Sequence, residues 1–182
     1  FEEVTKRFMP GALIPYEFEG GYYALPETQL FYMMFYRKDI FEELGINVPR
    51  TWEEFREITP VIQRNNMQVG LPEQQSQNTN SREMELPQMF VTLLYQRGGE
   101  FYNQDKSATM FDTREAIAAF TDWTEFYTLY KFPLQYDFYS RFRTGEMPLA
   151  LQPYTQFNLL SVAAPEIANL WDMTYVPGTM MP

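Results

Sequence analysis

The stretch Gly21-Tyr-Tyr-Ala-Leu-Pro-Glu-Thr-Gln-Leu-Phe-Tyr-Met-Met-Phe-Tyr-Arg-Lys-Asp39 decides how the chain is organised. A short apolar strand begins it and breaks at Pro26, and seven apolar residues without alternation then occupy positions 30–36. Such a run is typical of a strand covered on both faces, as in a parallel or mixed α/β sheet. Rigid elements on both sides would present the residues between the two apolar segments to a ligand. These polar residues are Glu27, Thr28 and Gln29.

The composition limits the classes of function that the chain can have. Its 182 residues are the length of about one ordinary domain. Aromatic residues make up 18% of the chain, which is more than a core of this size needs. Some rings are therefore expected to face solvent or a ligand. The formal net charge of −10 disfavours nucleic acid and anionic membranes as partners, because binding them requires basic patches.

Two residue types are missing from the sequence, and each absence excludes a kind of site. Without cysteine, the chain can form neither a disulfide nor a thiolate metal site. Without histidine, it cannot supply an imidazole base, a histidine-oriented triad or a histidine zinc site. We therefore expect neither a thiolate nor a histidine metal centre, and no motif in the sequence indicates another metal site or a cofactor.

Helices and strands alternate along the rest of the sequence, which predicts an α/β layered domain. Three capping boxes, each a polar residue followed three positions later by glutamate, predict helix starts at Asp39, Thr51 and Asp112. Pro60 lies within the second of these helices and is expected to kink or split it. Further helices are predicted over residues 87–97, over 137–144 and from Pro153, and further strands over 67–71, 147–152 and 171–176.

The helix that starts at Asp112 has the clearest apolar stripe. Its members follow the spacing of one helical face, and they are Ile117, Phe120, Trp123 or Thr124, Tyr127 and Tyr130. We interpret this stripe as part of the core and not as a cofactor site.

The most polar run of the chain, residues 73–81, has two open interpretations. It follows a predicted strand and is rich in glutamine and asparagine. A flexible linker and a binding loop agree about equally well with this composition.

Neither end of the sequence looks like a natural terminus. The chain begins at Phe1 with no initiator methionine, signal peptide or lipid-attachment cysteine, and residues 176–182 read as a loop. We therefore expect the chain to be a piece of a longer protein from which targeting signals have been removed.

A series of short pieces occurs in an order shared with a known family. The pieces are Tyr23-Ala-Leu-Pro26, Phe35-Tyr-Arg-Lys-Asp39, Leu44-Gly45, Pro49-Arg-Thr-Trp-Glu-Glu54, Gly98-Gly99, the long helix from Asp112, Arg143-Thr-Gly-Glu-Met-Pro-Leu-Ala150 and Tyr175-Val-Pro-Gly178. Together they resemble the extracellular solute-binding proteins of the sugar-binding kind, which serve ATP-driven importers. The forms Leu25-Pro-Glu-Thr28 and Phe142-Arg-Thr-Gly-Glu-Met147 are similar to the larger lipoprotein branch, often associated with complex oligosaccharides.

The resemblance implies a periplasmic-binding-protein type II-like architecture, in which two α/β lobes close on a ligand. In that layout, residues 1–28 are a remnant of the first lobe with a hinge strand, residues 29–176 form the second lobe, and residues 177–182 begin the crossing back. The implied partners are an oligosaccharide, the membrane permease of an ABC importer and the rest of the first lobe. The implied location is extracellular or periplasmic, with a lipid anchor on the outer face of the cytoplasmic membrane.

A site for sugars needs amides, carboxylates and exposed rings together, because sugars offer hydroxyls and flat C–H faces. The family pattern places ligand contacts in three segments, and a weaker fourth lies just before a helix at Tyr136 and Asp137. Asp137 is more simply a helix N-cap. The candidate ligand-binding residues are Glu27, Thr28, Gln29, Gln75, Asn78, Tyr136, Tyr154, Thr155 and Gln156.

The third segment, residues 154–156, combines two features. A helix predicted to start at Pro153 would leave free backbone N–H groups for ligand oxygens. Many relatives carry an aromatic residue here that packs on a sugar ring. Tyr154 is the nearest match, and a shift of one residue would give Thr155 instead.

Two other classes of function remain open. A glycoside hydrolase would need two carboxylates about 5–10 Å apart, and none of the acidic residues sits in an evident catalytic motif. A structural or interaction module would instead scatter Glu27, Gln75 and Tyr154 over unrelated surfaces. We favour a non-enzymatic, carbohydrate-binding lobe of an importer's receptor.

Overall fold

A computed structural model describes residues 2–27, 30–72 and 87–179. The chain forms two compact units, Phe1–Phe31 and Tyr32–Pro182. The first unit holds helices α1 (Glu2–Thr5) and α2 (Pro10–Leu13), a 3-10 turn (Ile14–Tyr16), and the antiparallel strands β1 (Glu17–Phe18) and β2 (Gly21–Tyr22). Glu19 and Gly20 join these strands, both with positive φ, and so form the predicted turn.

The second unit alternates helices and strands, which confirms the predicted α/β class. Its elements are β3 (Tyr32–Arg37), α3 (Lys38–Leu44), α4 (Trp52–Arg64), β4 (Val69–Gly70), α5 (Gln88–Gln96), α6 (Arg114–Thr128), α7 (Phe138–Thr144), β5 (Leu149–Pro153), α8 (Gln156–Ala163), a 3-10 turn (Pro165–Ile167) and β6 (Trp171–Thr174). Within the described parts of the chain, the helices lack the combined length and apolar character of a membrane span.

One mixed sheet organises the second unit, with strand order β4-β5-β3-β6. Strand β3 runs antiparallel to both of its neighbours, β5 and β6, whereas β4 and β5 are parallel. The amino end of β3 therefore lies at the same edge of the sheet as the carboxyl ends of β4, β5 and β6. We call this edge the carboxyl edge.

Strand β3 is buried on both faces, as its unbroken apolar sequence predicts. Met34 and Phe35 are both fully buried, but they point to opposite faces and belong to separate clusters. Met34 joins the larger cluster, in which Trp52, Phe55 and Phe126 pack ring against ring. Phe35 joins the smaller cluster beneath α7 and α8.

Helix α6 turns a different face inward from the one that the aromatic stripe predicts. The fully buried residues are Ala116, Ala119 and Phe126. Ile117 and Phe120 are 56% and 54% exposed, so their assignment to the core is wrong. Small alanine side chains let α5 and α6 approach closely, which a search for large apolar residues overlooks. The remaining stripe members, Trp123, Tyr127 and Tyr130, are partly buried and pack against the larger cluster.

The predicted helix caps are confirmed at some positions and wrong at others. At Thr51 the capping box is present: the hydroxyl accepts from the Glu54 N–H at 3.2 Å, and the Glu54 carboxylate accepts from the Thr51 N–H at 3.3 Å. At the long helix the cap is Thr113 and not Asp112. Pro60 does not split α4, which continues to Arg64.

Asp39 does not cap α3, because β3 runs directly into this helix and Asp39 lies in its first turn. Its carboxylate instead accepts from Nε and Nη2 of the buried Arg37, at 2.9 and 2.6 Å. Arg37 Nη1 donates to the carbonyl oxygens of Phe142 and Arg143 at 3.0 and 3.2 Å. These two carbonyls lie in the last turn of α7, where a cation is electrostatically favoured. One guanidinium thus connects β3, α3 and α7.

Hydrogen bonds from Gln96 hold the segment that follows β6 in place. Its Nε2 donates to the Pro177 carbonyl at 2.9 Å, and its Oε1 accepts from the Trp52 indole at 2.7 Å. The Gln96 carbonyl accepts from the Thr179 hydroxyl at 3.0 Å, and Gly178 pairs with the backbone beside Thr51. Residues 177–179, the described part of the segment predicted to begin the crossing back, are therefore bonded to the second unit.

Candidate functional site

A cavity of about 280 Å³ lies at the carboxyl edge, between the end of β5 and the starts of α7 and α8. Its lining is rich in phenol, amide and carboxylate groups. The lining residues are Tyr32, Tyr136, Asp137, Phe138, Tyr139, Gln152, Pro153, Gln156 and Leu159. We call this cavity the edge pocket. Two of the predicted site residues, Tyr136 and Gln156, line it.

A hydrogen-bonded chain fixes one wall of the edge pocket. The Tyr136 hydroxyl donates to the carbonyl of Leu71, just after β4, and it accepts from Gln152 Nε2 at 2.7 Å. Because a carbonyl oxygen can only accept, both directions are determined. Gln152 is only 6% exposed, so its carboxamide is held in place. The Tyr136 hydroxyl has thus already used its proton and has none to donate to a ligand.

Gly70 in β4 makes this arrangement possible. A Cβ atom at that position would come within 2.7 Å of the Tyr136 hydroxyl and within 2.6 Å of the Met147 sulfur. Only a residue without a side chain lets the Tyr136 ring lie against the strand.

Gln156, the first residue of α8, carries an unused acceptor. Its Oε1 is buried and has no hydrogen-bond partner among the described residues. An unsatisfied buried polar group costs about 1–3 kcal/mol, and such groups in folded proteins call for an explanation. A ligand hydroxyl that enters the edge pocket could donate to this oxygen.

The turn between β5 and α8 differs from its predicted form. Pro153 ends β5 and does not begin the helix, and the helix starts at Gln156. The N–H groups of Phe157 and Asn158 donate to the carbonyls of Tyr154 and Thr155, at 2.9 and 3.2 Å. The expectation that these first-turn donors are free for a ligand is therefore wrong at those two positions.

Tyr154 and Thr155 are exposed in this turn, between the lining residues Pro153 and Gln156. Tyr154 is 36% exposed and is not part of the lining. Its ring stacks nearly parallel to that of Phe157, with centroids 5.9 Å apart and planes inclined by 4°. The turn thus offers an aromatic surface at the carboxyl edge, and Tyr154 stays a predicted ligand contact.

The other predicted contacts are not joined to this geometry. Thr28, Gln29, Gln75 and Asn78 lie outside the described residues. Glu27 belongs to the first unit, where it is exposed. Each of these residues stays a prediction.

Asp137 gives the edge pocket a negative charge. As predicted, it caps α7: its Oδ1 accepts from the Ser140 N–H at 3.1 Å and its Oδ2 from the Ser140 hydroxyl at 2.7 Å. The Ser140 hydroxyl and N–H hold the pKa of Asp137 below its usual value, so the carboxylate is charged at neutral pH. The residues of the lining that the structure describes include no lysine or arginine. In the described parts of the chain, acidic side chains form no cluster suited to a metal ion.

Gln152 and Tyr32 are pocket residues that sequence reasoning missed. Gln152 is the one polar residue in the apolar strand β5, next to its end. A polar side chain at the carboxyl end of a buried strand is a usable signal for a site. Tyr32 carried no such signal, since it reads as part of the apolar run before Arg37.

Comparison with known proteins identifies the family. Residues 2–142 match the bacterial extracellular solute-binding proteins. No curated protein sequence gives a match. Among solved structures, similar ones include an ABC transporter solute-binding protein from Thermotoga lettingae bound with α-D-tagatose, at 24% identity and a TM-score of 0.74 over 96% of this chain and 46% of that one.

Two further structures have the same fold. The sugar-binding protein MalE from Xanthomonas citri is 17% identical, with a TM-score of 0.76 over 98% of this chain and 47% of that one. The protein UgpB from Mycobacterium tuberculosis, in complex with glycerophosphocholine, is 18% identical, with a TM-score of 0.70 over 95% of this chain and 44% of that one.

The chain thus spans just under half the length of these structures. The family match extends over most of the chain, and the mixed sheet with flanking helices agrees with the structural matches. The chain belongs to the family of bacterial extracellular solute-binding proteins.

Proposed function

We propose that this chain is the carbohydrate-binding second lobe of a receptor that captures sugars for an ABC importer. The observation that carries the proposal is the edge pocket. It combines the unused acceptor of Gln156 and the amide group of Gln152 with the aromatic turn at Tyr154. Sugar hydroxyls are donors and sugar C–H faces pack on rings, so this mixture suits a carbohydrate.

Three features of the whole receptor belong to the same proposal. Residues 1–28 would belong to the first lobe, residues 29–176 to the second, and residues 177–182 would begin the crossing back. A ligand held by both lobes would stabilise a closed state that the membrane permease recognises. A lipid anchor would keep the receptor at the outer face of the cytoplasmic membrane.

The known ligands of similar proteins support sugars as the first class to test. One similar structure is bound with α-D-tagatose and another is named a sugar-binding protein. A glycoside hydrolase has less support, because a glycosidase needs two carboxylates across the bond it cleaves. Among the described lining residues of the edge pocket, Asp137 is the only carboxylate.

The test of this proposal uses the complete protein and the variant Gln156→Met. Thermal unfolding is followed with α-D-tagatose, maltose and β-1,6-galactobiose, and at least one is expected to raise the Tm. Methionine has a similar length but no oxygen, so it removes both the buried acceptor and its cost in the free protein. We expect an unchanged or slightly higher Tm without sugar and a sugar affinity about 3- to 10-fold lower.

A matched control is Gln88→Met, because Gln88 is an exposed first residue of α5. This variant should keep the sugar affinity of the unmodified protein. If no sugar raises the Tm, the proposed function is wrong. If Gln156→Met binds sugar as tightly as the unmodified protein, Gln156 is not a contact.

The variant Tyr154→Ala tests the aromatic turn. Loss of a ring face that packs on a sugar should weaken binding by about 0.5–1.5 kcal/mol, which is about 2- to 10-fold. Isothermal titration calorimetry with the sugar that binds measures this change. Tyr102→Ala is the control, since Tyr102 is 56% exposed in the hairpin before α6 and lies outside the edge pocket. Equal affinities for the two variants would remove Tyr154 from the site.

A further inference from the structure

We infer that the edge pocket selects uncharged, hydroxyl-bearing sugar units and disfavours sugars that carry a carboxylate or phosphate, with Asp137 as the residue that sets this preference. The inference rests on the proposed function and specifies the ligand class of the same site. The fold alone does not determine which ligand charge the site accepts. The side chains of this chain at the site must determine it.

The hydrogen-bonding groups of the pocket form the first argument. The Tyr136 proton is committed to the Leu71 carbonyl, so that hydroxyl has no proton to donate to an anion. The Gln156 Oε1 is an acceptor without a partner among the described residues. A sugar hydroxyl can donate to this oxygen, whereas a carboxylate or a fully ionised phosphate group has no proton to donate.

The charges form the second argument. The Asp137 carboxylate lines the pocket, and no cation in the described lining compensates for it. Its two hydrogen bonds from Ser140 keep it ionised at neutral pH. The charge of Arg141, one turn along α7, contributes to the lowered pKa of Asp137, but its guanidinium donates to the Gln68 side chain, and neither Arg141 nor Gln68 lines the pocket. Among the described residues that line the pocket, an anionic ligand would therefore meet a carboxylate and no lysine or arginine.

The N–H groups at the start of α8 could have favoured an anion, as helix starts often do. Two of them, on Phe157 and Asn158, already donate to backbone carbonyls. Pro153, at the mouth of the same turn, has no N–H to offer. These three positions of the turn therefore offer no N–H group to a phosphate.

The experiment compares each neutral disaccharide that binds the complete protein, maltose or β-1,6-galactobiose, with its uronic acid form, in which one CH₂OH group is a carboxylate. We expect the acid to bind at least about tenfold more weakly at low salt, as a like charge at close range implies. Raising the ionic strength from about 0.02 M to about 0.5 M should reduce this ratio, because Asp137 is exposed to solvent.

The variant Asp137→Asn removes the charge and keeps a good N-cap, so α7 should stay folded. We expect this variant to reduce the ratio of the affinity for the neutral sugar to the affinity for the acidic sugar by about threefold or more. The control is Asp105→Asn. Asp105 is held by Ser107 in the same way, through both the N–H and the hydroxyl, but it lies outside the edge pocket. This control should leave the ratio unchanged.

The outcomes separate the two proposals. An acidic sugar that binds as tightly as its neutral form would overturn the inference and leave the proposed function intact. A ratio that changes equally in Asp137→Asn and Asp105→Asn would overturn the role of Asp137 in the pocket. If neither form of any sugar binds, the proposed function fails and the inference fails with it.

Discussion

Replacement of Phe126 by alanine is expected to lower the free energy of unfolding by about 3–5 kcal/mol. Phe126 is fully buried in α6 and stacks on Phe132, with centroids 5.5 Å apart and planes inclined by 8°. Its ring also meets those of Trp52 and Phe55, at 5.6 and 5.9 Å. Truncation would leave a cavity between α4 and α6 that rigid aromatic neighbours cannot easily fill. Urea unfolding followed by circular dichroism measures the change.

Phe120→Ala is the matched control, because it makes the same chemical change on the same helix. Phe120 is half exposed, and its ring contacts the rings of Phe90 and Trp123 edge to face. We expect a loss of about 1 kcal/mol or less. The pair also tests the orientation of α6. Equal losses for both variants, or a larger loss for Phe120→Ala, would favour the face that the aromatic stripe predicts over the observed one.

Arg37→Met is expected to destabilise the second unit by about 1.5–3 kcal/mol, since it removes a buried guanidinium that hydrogen-bonds to the half-buried Asp39 and to two carbonyls. Methionine can fill the channel that the arginine stem occupies, but it cannot donate to Asp39 or to the carbonyls at the end of α7. The control is Arg64→Met at the exposed end of α4, which should change stability by about 0.5 kcal/mol at most.

The pH dependence gives a second measurement on Arg37→Met. The hydrogen bonds from Arg37 lower the pKa of Asp39 in the folded protein. Between the lowered folded value and the unfolded value of about 3.9, the unfolded state binds more protons, so this contribution to stability is lost as the pH falls. The deficit of the variant should therefore be smaller below about pH 4 than at pH 7. A deficit that is constant over this range would contradict the role of the Arg37–Asp39 pair.

Local signals in the sequence predicted much of the fold. The capping box at Thr51 and the N-cap at Asp137 depend on neighbours a few residues away, and both are present. The buried strand β3 was likewise readable, because seven apolar residues without alternation fit a strand with two covered faces. Where the deciding contact is distant in sequence, prediction failed. The local spacing predicted Asp39 as a cap, but Asp39 is instead bonded to Arg37. The other hydrogen bonds of Arg37 go to residues 142 and 143, and the local sequence pattern cannot show such distant contacts.

The site was predictable in part for the same reason. Polar and aromatic residues beside predicted helix starts indicated candidate contacts, and two of them, Tyr136 and Gln156, line one pocket at the carboxyl edge. The bond from Gln152 to Tyr136 joins residues 16 positions apart, and the bond from Tyr136 to Leu71 joins residues 65 positions apart. The commitment of the tyrosine proton, which decides what the pocket can accept, therefore appears only in three dimensions.

The position of β3 has a mechanical consequence. The chain enters the second unit through this strand, which is registered with β5 from Tyr32 to Tyr36 and with β6 from Met34 to Arg37. Tension along the backbone from residue 31 would load both ladders in shear, since their hydrogen bonds run across the strand direction. Tension on an outer strand would instead unzip one ladder bond by bond. A pulling force applied at residue 31 is therefore carried by both ladders at once, and no outer strand has to detach first.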